Sequence, residues 1–212
     1  DVPYLPCGSM VLAFDEGDRA HLQKLYDRGC ANGVPGLEIL SGEEARAREP
    51  ELAETVAAAL WAPSAGIICP WEYTLAMAET AVRNGVELHL RARVTAIERT
   101  EYGTFLVKTE DGADYESRFV VSAAGVDAAA VRALLEEPDY RIIPTRGQYY
   151  LLDKSEGGRV GCTVFQCPNE KGKGVLVSPT VHGNLIVGPD AIPAAGPDDV
   201  AVTAQGLSFV AG

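Results

Sequence analysis

The sequence predicts a mixed α+β and α/β chain. An α/β layer over residues 66–136 is joined to an antiparallel-sheet module drawn from residues 1–65 and 137–212. Three observations carry this. A helical pattern from Tyr73 to Arg83 runs through Asn84-Gly85 into the β-like run Val86–Leu90, which is half of a βαβ crossover. Phe119 to Ala124 is apolar without alternation, as in a strand covered on both faces. Beyond Thr145, short apolar runs recur between Gly, Pro and charged turns, the pattern of an antiparallel sheet.

In chain order, Val2–Phe14 reads as a strand pair or one long strand. Asp18 is the expected N-cap of a helix over Arg19–Asn32 whose buried face carries Leu22, Leu25 and Tyr26. Gly33–Gly36 turns, Leu37–Leu40 is a short strand, and Ser41-Gly-Glu-Glu44 is a capping box opening a helix to Arg48. Val56–Trp61 is a further strand. Pro70 and Glu72 suit the first turn of a helix, and Trp71, Leu75, Ala78 and Val82 recur on one face of it. Val94–Glu98 begins a hairpin turning near Asp111-Gly112. Val126–Leu135 is an alanine-rich helix, and Gln148–Leu152, Val160–Gln166, Val175–Val177 and Leu185–Val187 are strands. A last helix opens near Val200.

With 47% hydrophobic and 23% charged residues the composition is that of a folded globular chain. A net charge of −12 argues against nucleic acid or an anionic membrane as a partner. No apolar run reaches the ~18 residues that span a bilayer, so no transmembrane segment is expected and the protein reads as cytoplasmic, free or peripheral to a membrane. Cys7, Cys30, Cys69, Cys162 and Cys167 include no CxxC, and the Cys162/Cys167 spacing has no histidine beside it. They read as free thiols, with no metal site expected.

Gly66-Ile-Ile-Cys-Pro70, the helix after it, Asn84-Gly85-Val86, Arg93–Ile97 and Val120-Val-Ser-Ala-Ala-Gly125 together resemble the FAD-dependent oxidoreductases of the D-amino-acid-oxidase superfamily. The branch holding glycerol-3-phosphate dehydrogenase and L-2-hydroxyglutarate oxidase fits best. Arg146-Gly-Gln-Tyr-Tyr150 and Gly183-Asn-Leu-Ile-Val-Gly-Pro189 are also similar to segments of it, so the likeness covers nearly the whole chain in order. It implies that residues 66–136 are part of a FAD-binding, Rossmann-like layer, with 1–65 and 137–212 on the substrate side. The strand–GxGxxG–helix unit that holds the FAD pyrophosphate in such enzymes is absent from these 212 residues. The chain therefore reads as an internal fragment, with FAD expected in the full-length protein, and the fragment alone expected neither to hold FAD firmly nor to turn over substrate.

On the resemblance, Val94 pairs through its backbone with the adenine edge of FAD, and Ser122, Ala123, Ala124 and Gly125 lie against the dinucleotide. A core valine and a small-residue strand end are the plainer readings. Two polar residues are candidates for catalysis or substrate contact. Arg146 can hold a carboxylate or phosphate bidentately, or pair with one of the 30 acids. His182, in the turn Thr180–Asn184, can take a proton from a hydroxyl, or be an exposed turn residue. Lys171 and Lys173 form a glycine-spaced basic loop, an anion lure or a solvated hairpin tip.

The expected function is oxidation of a small hydroxy substrate, glycerol 3-phosphate or a 2-hydroxy acid, by hydride transfer to FAD. The sequence leaves the electron acceptor unnamed. The alternatives are an amino-acid or amine oxidase of the same superfamily, and a non-catalytic α+β binding module.

Overall fold

The computed structural model describes residues 1–168 and 174–212, so the expected basic loop at Lys171 and Lys173 lies outside the described residues. The chain forms two compact units. One comprises residues 1–79, 146–192 and 201–212, and the other residues 80–145 and 193–200.

The larger unit is built on one sheet. In chain order the unit has β1 (Tyr4–Leu5), β2 (Ser9–Ala13), helix α1 (Glu16–Ala31), β3 (Glu38–Ser41), helix α2 (Gly42–Arg48), β4 (Ala58–Ala62) and β5 (Ile67–Ile68), with β1 and β5 pairing as a separate ribbon. Helix α3 (Pro70–Arg83) follows. The smaller unit contributes β6 (Val94–Arg99), β7 (Phe105–Thr109), β8 (Asp114–Ser117) and helix α4 (Ala128–Ala133), which is preceded by a 3-10 turn at Gly125–Asp127. Then come β9 (Thr145–Arg146), β10 (Tyr150–Leu152), β11 (Thr163–Gln166), β12 (Leu176–Pro179), β13 (Leu185–Gly188), β14 (Ile192–Pro193) and helix α5 (Ala204–Ala211).

Seven strands of the larger unit pair in the order β10-β13-β12-β11-β2-β4-β3. All neighbours are antiparallel except β11 and β2, which run parallel with Val164 opposite Met10. Alternation along β2 decides the layers. Met10 and Leu12 face a core with Leu40, Ala45, Val56, Ala59, Cys162 and Val164. Ala13 faces the other way, against Leu22, Ala58 and Leu60, with Val11, Leu25 and Tyr26 packed around them. Helix α1 thus covers one face through the residues its periodicity predicts. Its N-cap is Asp15, whose side chain accepts from the Asp18 N–H, so the helix starts three residues before the expected Arg19. The acidic residues ahead of Arg19 belong to the first turn, where they favour the positive helix end. The capping box at Ser41 is present in full: Ser41 Oγ accepts from Glu44 N–H at 3.2 Å, and Glu44 Oε2 accepts from Ser41 N–H at 2.8 Å.

In the smaller unit, β6, β7 and β8 form an antiparallel meander. The expected Asp111-Gly112 turn closes it. Gly112 takes φ +84, where a side chain is disfavoured, and Asp111 Oδ1 accepts from Ala113 N–H at 3.2 Å and from Thr109 Oγ at 2.6 Å.

Three sequence expectations need correction. Val86–Leu90 and Phe119–Ala124 are not strands. A strand exists only as one side of a ladder, and neither run has a partner strand among the described residues. Phe119 and Val121 accordingly stand 81% and 87% exposed. The helix expected at Val126–Leu135 is shorter, with the 3-10 turn ahead of it. Helix α3 forms as expected but buries none of its apolar face: Trp71 and Leu75 are exposed.

Candidate functional site

In the larger unit, the sheet face around β10–β12 and helix α5 enclose a cavity of about 550 Å³. Tyr149, Phe165, Leu176, Ile192 and Phe209 supply an apolar lining, with Gln166, Gln205 and Asp190 as its polar members. Burial holds the Tyr149 phenol above its ordinary value, so it stays a neutral hydroxyl.

A buried polar knot fixes one wall. Gln148 N–H donates to Asp190 Oδ1 at 2.7 Å, and Gln148 Nε2 donates to Oδ2 at 2.6 Å. Gln148 Oε1 accepts from the Thr203 N–H at 2.5 Å and from Thr203 Oγ at 3.1 Å. Thr203 is also the N-cap of α5, accepting from Gly206 N–H at 3.1 Å. Strand entry, cavity edge and helix start are therefore tied at one point. Gly206 is required there, because a Cβ on it would run into Gln148 Nε2 and Asp190 Oδ2. Sequence reading placed Gln148 in a strand and did not foresee this pairing. Residues so far apart in the chain leave no spacing signal.

Arg146 ends β9, half-buried, with Gly147 beside it. A Cβ at Gly147 would come within 2.8 Å of Pro189 Cβ, which explains the bare backbone after the guanidinium. His182 sits in the turn Thr180–Gly183, half-exposed, with Nε2 3.6 Å from Glu72 Oε1. Its Nδ1/Nε2, the Glu72 carboxylate and Cys69 Sγ offer donor atoms all within 4.8 Å of one another. Sequence reading named all three residues but did not bring Glu72 or Cys69 to His182.

In the smaller unit, Val94 opens β6 opposite Thr109, and a bulge follows between Val94 and Ala96. Ser122 and Ala123 are exposed, and Ala124 is half-buried. Gly125 adopts φ +57, with nothing within 4 Å of where a Cβ would stand. Residues 122 to 125 carry only small side chains, and the space beside Gly125 is open.

The FAD dependent oxidoreductase family profile matches residues 1–211. A glycerol 3-phosphate dehydrogenase of Caloramator mitchellensis is 44% identical over 210 residues, covering 99% of this chain and 43% of the relative. An L-2-hydroxyglutarate dehydrogenase of Escherichia coli O17:K52:H18 is 31% identical, covering 90% of this chain and 45% of the relative. The solved L-alpha-glycerophosphate oxidase of Mycoplasma pneumoniae, dithionite reduced with FAD bound, superposes with a TM-score of 0.89 at 29% identity. That match covers 99% of this chain and 56% of the oxidase. The chain spans about half the length of the relatives it matches. It belongs to the FAD dependent oxidoreductase family.

Proposed function

We propose that the whole protein oxidises a small hydroxy substrate, glycerol 3-phosphate or a 2-hydroxy acid. The observation that carries this is the 44% identity to a glycerol 3-phosphate dehydrogenase across 99% of the chain. Bound FAD supplies the hydride-accepting ring. Residues 66–136 contribute part of the flavin-binding module, and residues 1–65 and 137–212 the substrate side. Val94 contributes its backbone N–H and C=O to the adenine edge, and Ser122 to Gly125 give the dinucleotide an uncrowded bed.

Arg146 holds the substrate's phosphate or carboxylate. A guanidinium presents a planar fork that either anion accepts bidentately. The cavity lined by Tyr149, Leu176 and Phe209 offers an apolar surface for the rest of the substrate. The other candidate, His182, lies near Glu72 and Cys69. In a fold shared with amine oxidases, the hydroxy reading is preferred because three relatives named for hydroxy substrates exceed 30% identity.

The test is Arg146→Lys in the whole protein under steady-state turnover of glycerol 3-phosphate. Losing the bidentate fork while keeping the charge raises KM about tenfold or more, with a smaller change in kcat. An unchanged KM removes Arg146 from the substrate site.

A further inference from the structure

The start of helix α3 gathers three side chains that the flavin reading does not use. The Cys69 carbonyl accepts from Tyr73 N–H at 3.0 Å, which sets the thiol at the helix mouth. Glu72 lies in the first turn. His182 arrives from the turn between β12 and β13. That turn is held by Gly183 N–H on Thr180 O at 3.1 Å and Thr180 N–H on Asn184 O at 2.9 Å, while Asn184 Nδ2 donates to Leu152 O at 3.0 Å. A thiol, a carboxylate and an imidazole from two distant chain segments thus converge within 4.8 Å.

Glu72 makes the cluster more than a chance surface grouping. One oxygen faces His182 at 3.6 Å. The other, Oε2, is shielded from solvent and has no hydrogen-bond partner among the described residues. A carboxylate oxygen withdrawn from water and left bare is unfavourable unless a donor or a cation supplies it.

We propose that Cys69, Glu72 and His182 bind a borderline-soft divalent cation of the Zn²⁺ class. Sulfur, nitrogen and oxygen donors together suit zinc, whereas Mg²⁺ and Ca²⁺ take oxygen alone. Zinc bonds of about 2.0–2.3 Å set tetrahedral donors roughly 3.3–3.8 Å apart. The cluster therefore closes by side-chain rotation of about 1 Å, which half-exposed Glu72 and His182 permit. Thiolate and carboxylate balance the ion's two charges, and the thiol proton leaves to solvent on binding. Three protein ligands leave the fourth position open to water or an anion. The ion pins the β12–β13 turn to the start of α3. Cysteine spacing hides the site, because its ligands include one cysteine only.

The test is Zn²⁺ equilibrium dialysis of the whole protein after chelator stripping, read by elemental mass spectrometry, with zinc-edge X-ray absorption of the loaded sample. The expected result is one Zn²⁺ per chain and a sulfur scatterer near 2.3 Å. Cys69→Ser abolishes the sulfur shell, and Glu72→Gln and His182→Ala each weaken binding by at least about tenfold. Cys30→Ser, at an exposed thiol elsewhere, changes nothing. Should Cys69→Ser fail to fold, His182→Ala on its half-exposed turn decides alone. Substoichiometric zinc, an oxygen–nitrogen shell without sulfur, or affinity unmoved by His182→Ala overturns the proposal.

Discussion

Gln148 and Asp190 meet twice inside the protein, backbone N–H to Oδ1 at 2.7 Å and amide to Oδ2 at 2.6 Å, each residue at most 3% exposed. The pairing leaves neither carboxylate oxygen bare, and the amide oxygen is used on the α5 cap. Asp190→Leu removes both carboxylate acceptors from Gln148. It destabilises the chain by about 2–4 kcal/mol, because a buried N–H and an amide donor are stranded. Urea unfolding checks this. Gln148→Leu alone costs a similar amount, and the double substitution costs less than the two singles summed, since the side-chain amide and the carboxylate leave together, although the backbone N–H groups of residues 148 and 203 still lose their acceptors.

The buried thiols give the protein an alkaline weakness. Burial, reinforced by the Asp18 charge, pushes Cys167 up to about 11, and burial with the Glu49 carboxylate raises Cys162 further. The unfolded chain loses these protons near the ordinary thiol value of about 8.5. Above that value the unfolded state holds fewer protons than the folded one, so stability falls as pH climbs from about 8.5 to about 11. Urea midpoints at pH 8 and pH 10.5 measure the fall, and Cys167→Ala makes it shallower. In the native state Cys30 reacts first with a thiol reagent, being exposed, while Cys162 and Cys167 wait for unfolding.

The small-residue segment makes a separable prediction about flavin. Ala123 is exposed, so Ala123→Phe leaves the melting of residues 1–212 within about 1 °C of the parent. In the whole protein the same ring stands over the proposed dinucleotide bed and lowers flavin content severalfold. Absorbance after gel filtration reads it. Full flavin occupancy in that variant moves the bed elsewhere.

Local signals were legible wherever local chemistry decides the outcome. Ser41 and Glu44 announce a capping box because both partners lie in one turn, and Asp111-Gly112 announces its hairpin for the same reason. Leu22, Leu25 and Tyr26 show the buried face of α1. Phe119–Ala124 misled because its composition reports what a strand needs, while a ladder also requires neighbours, and none pairs with it among the described residues. Trp71 and Leu75 misled similarly, being periodic yet uncovered. The Gln148–Asp190 knot and the Cys69–Glu72–His182 cluster were illegible, since chain topology alone brings those residues together.

Anaerobic titration of the flavin in the whole protein is the most direct measurement. The proposed function predicts that glycerol 3-phosphate, or a small 2-hydroxy acid, bleaches the oxidised flavin band to completion, and that amino acids leave it untouched. A protein purified without flavin, or a flavin that only amines reduce, contradicts it.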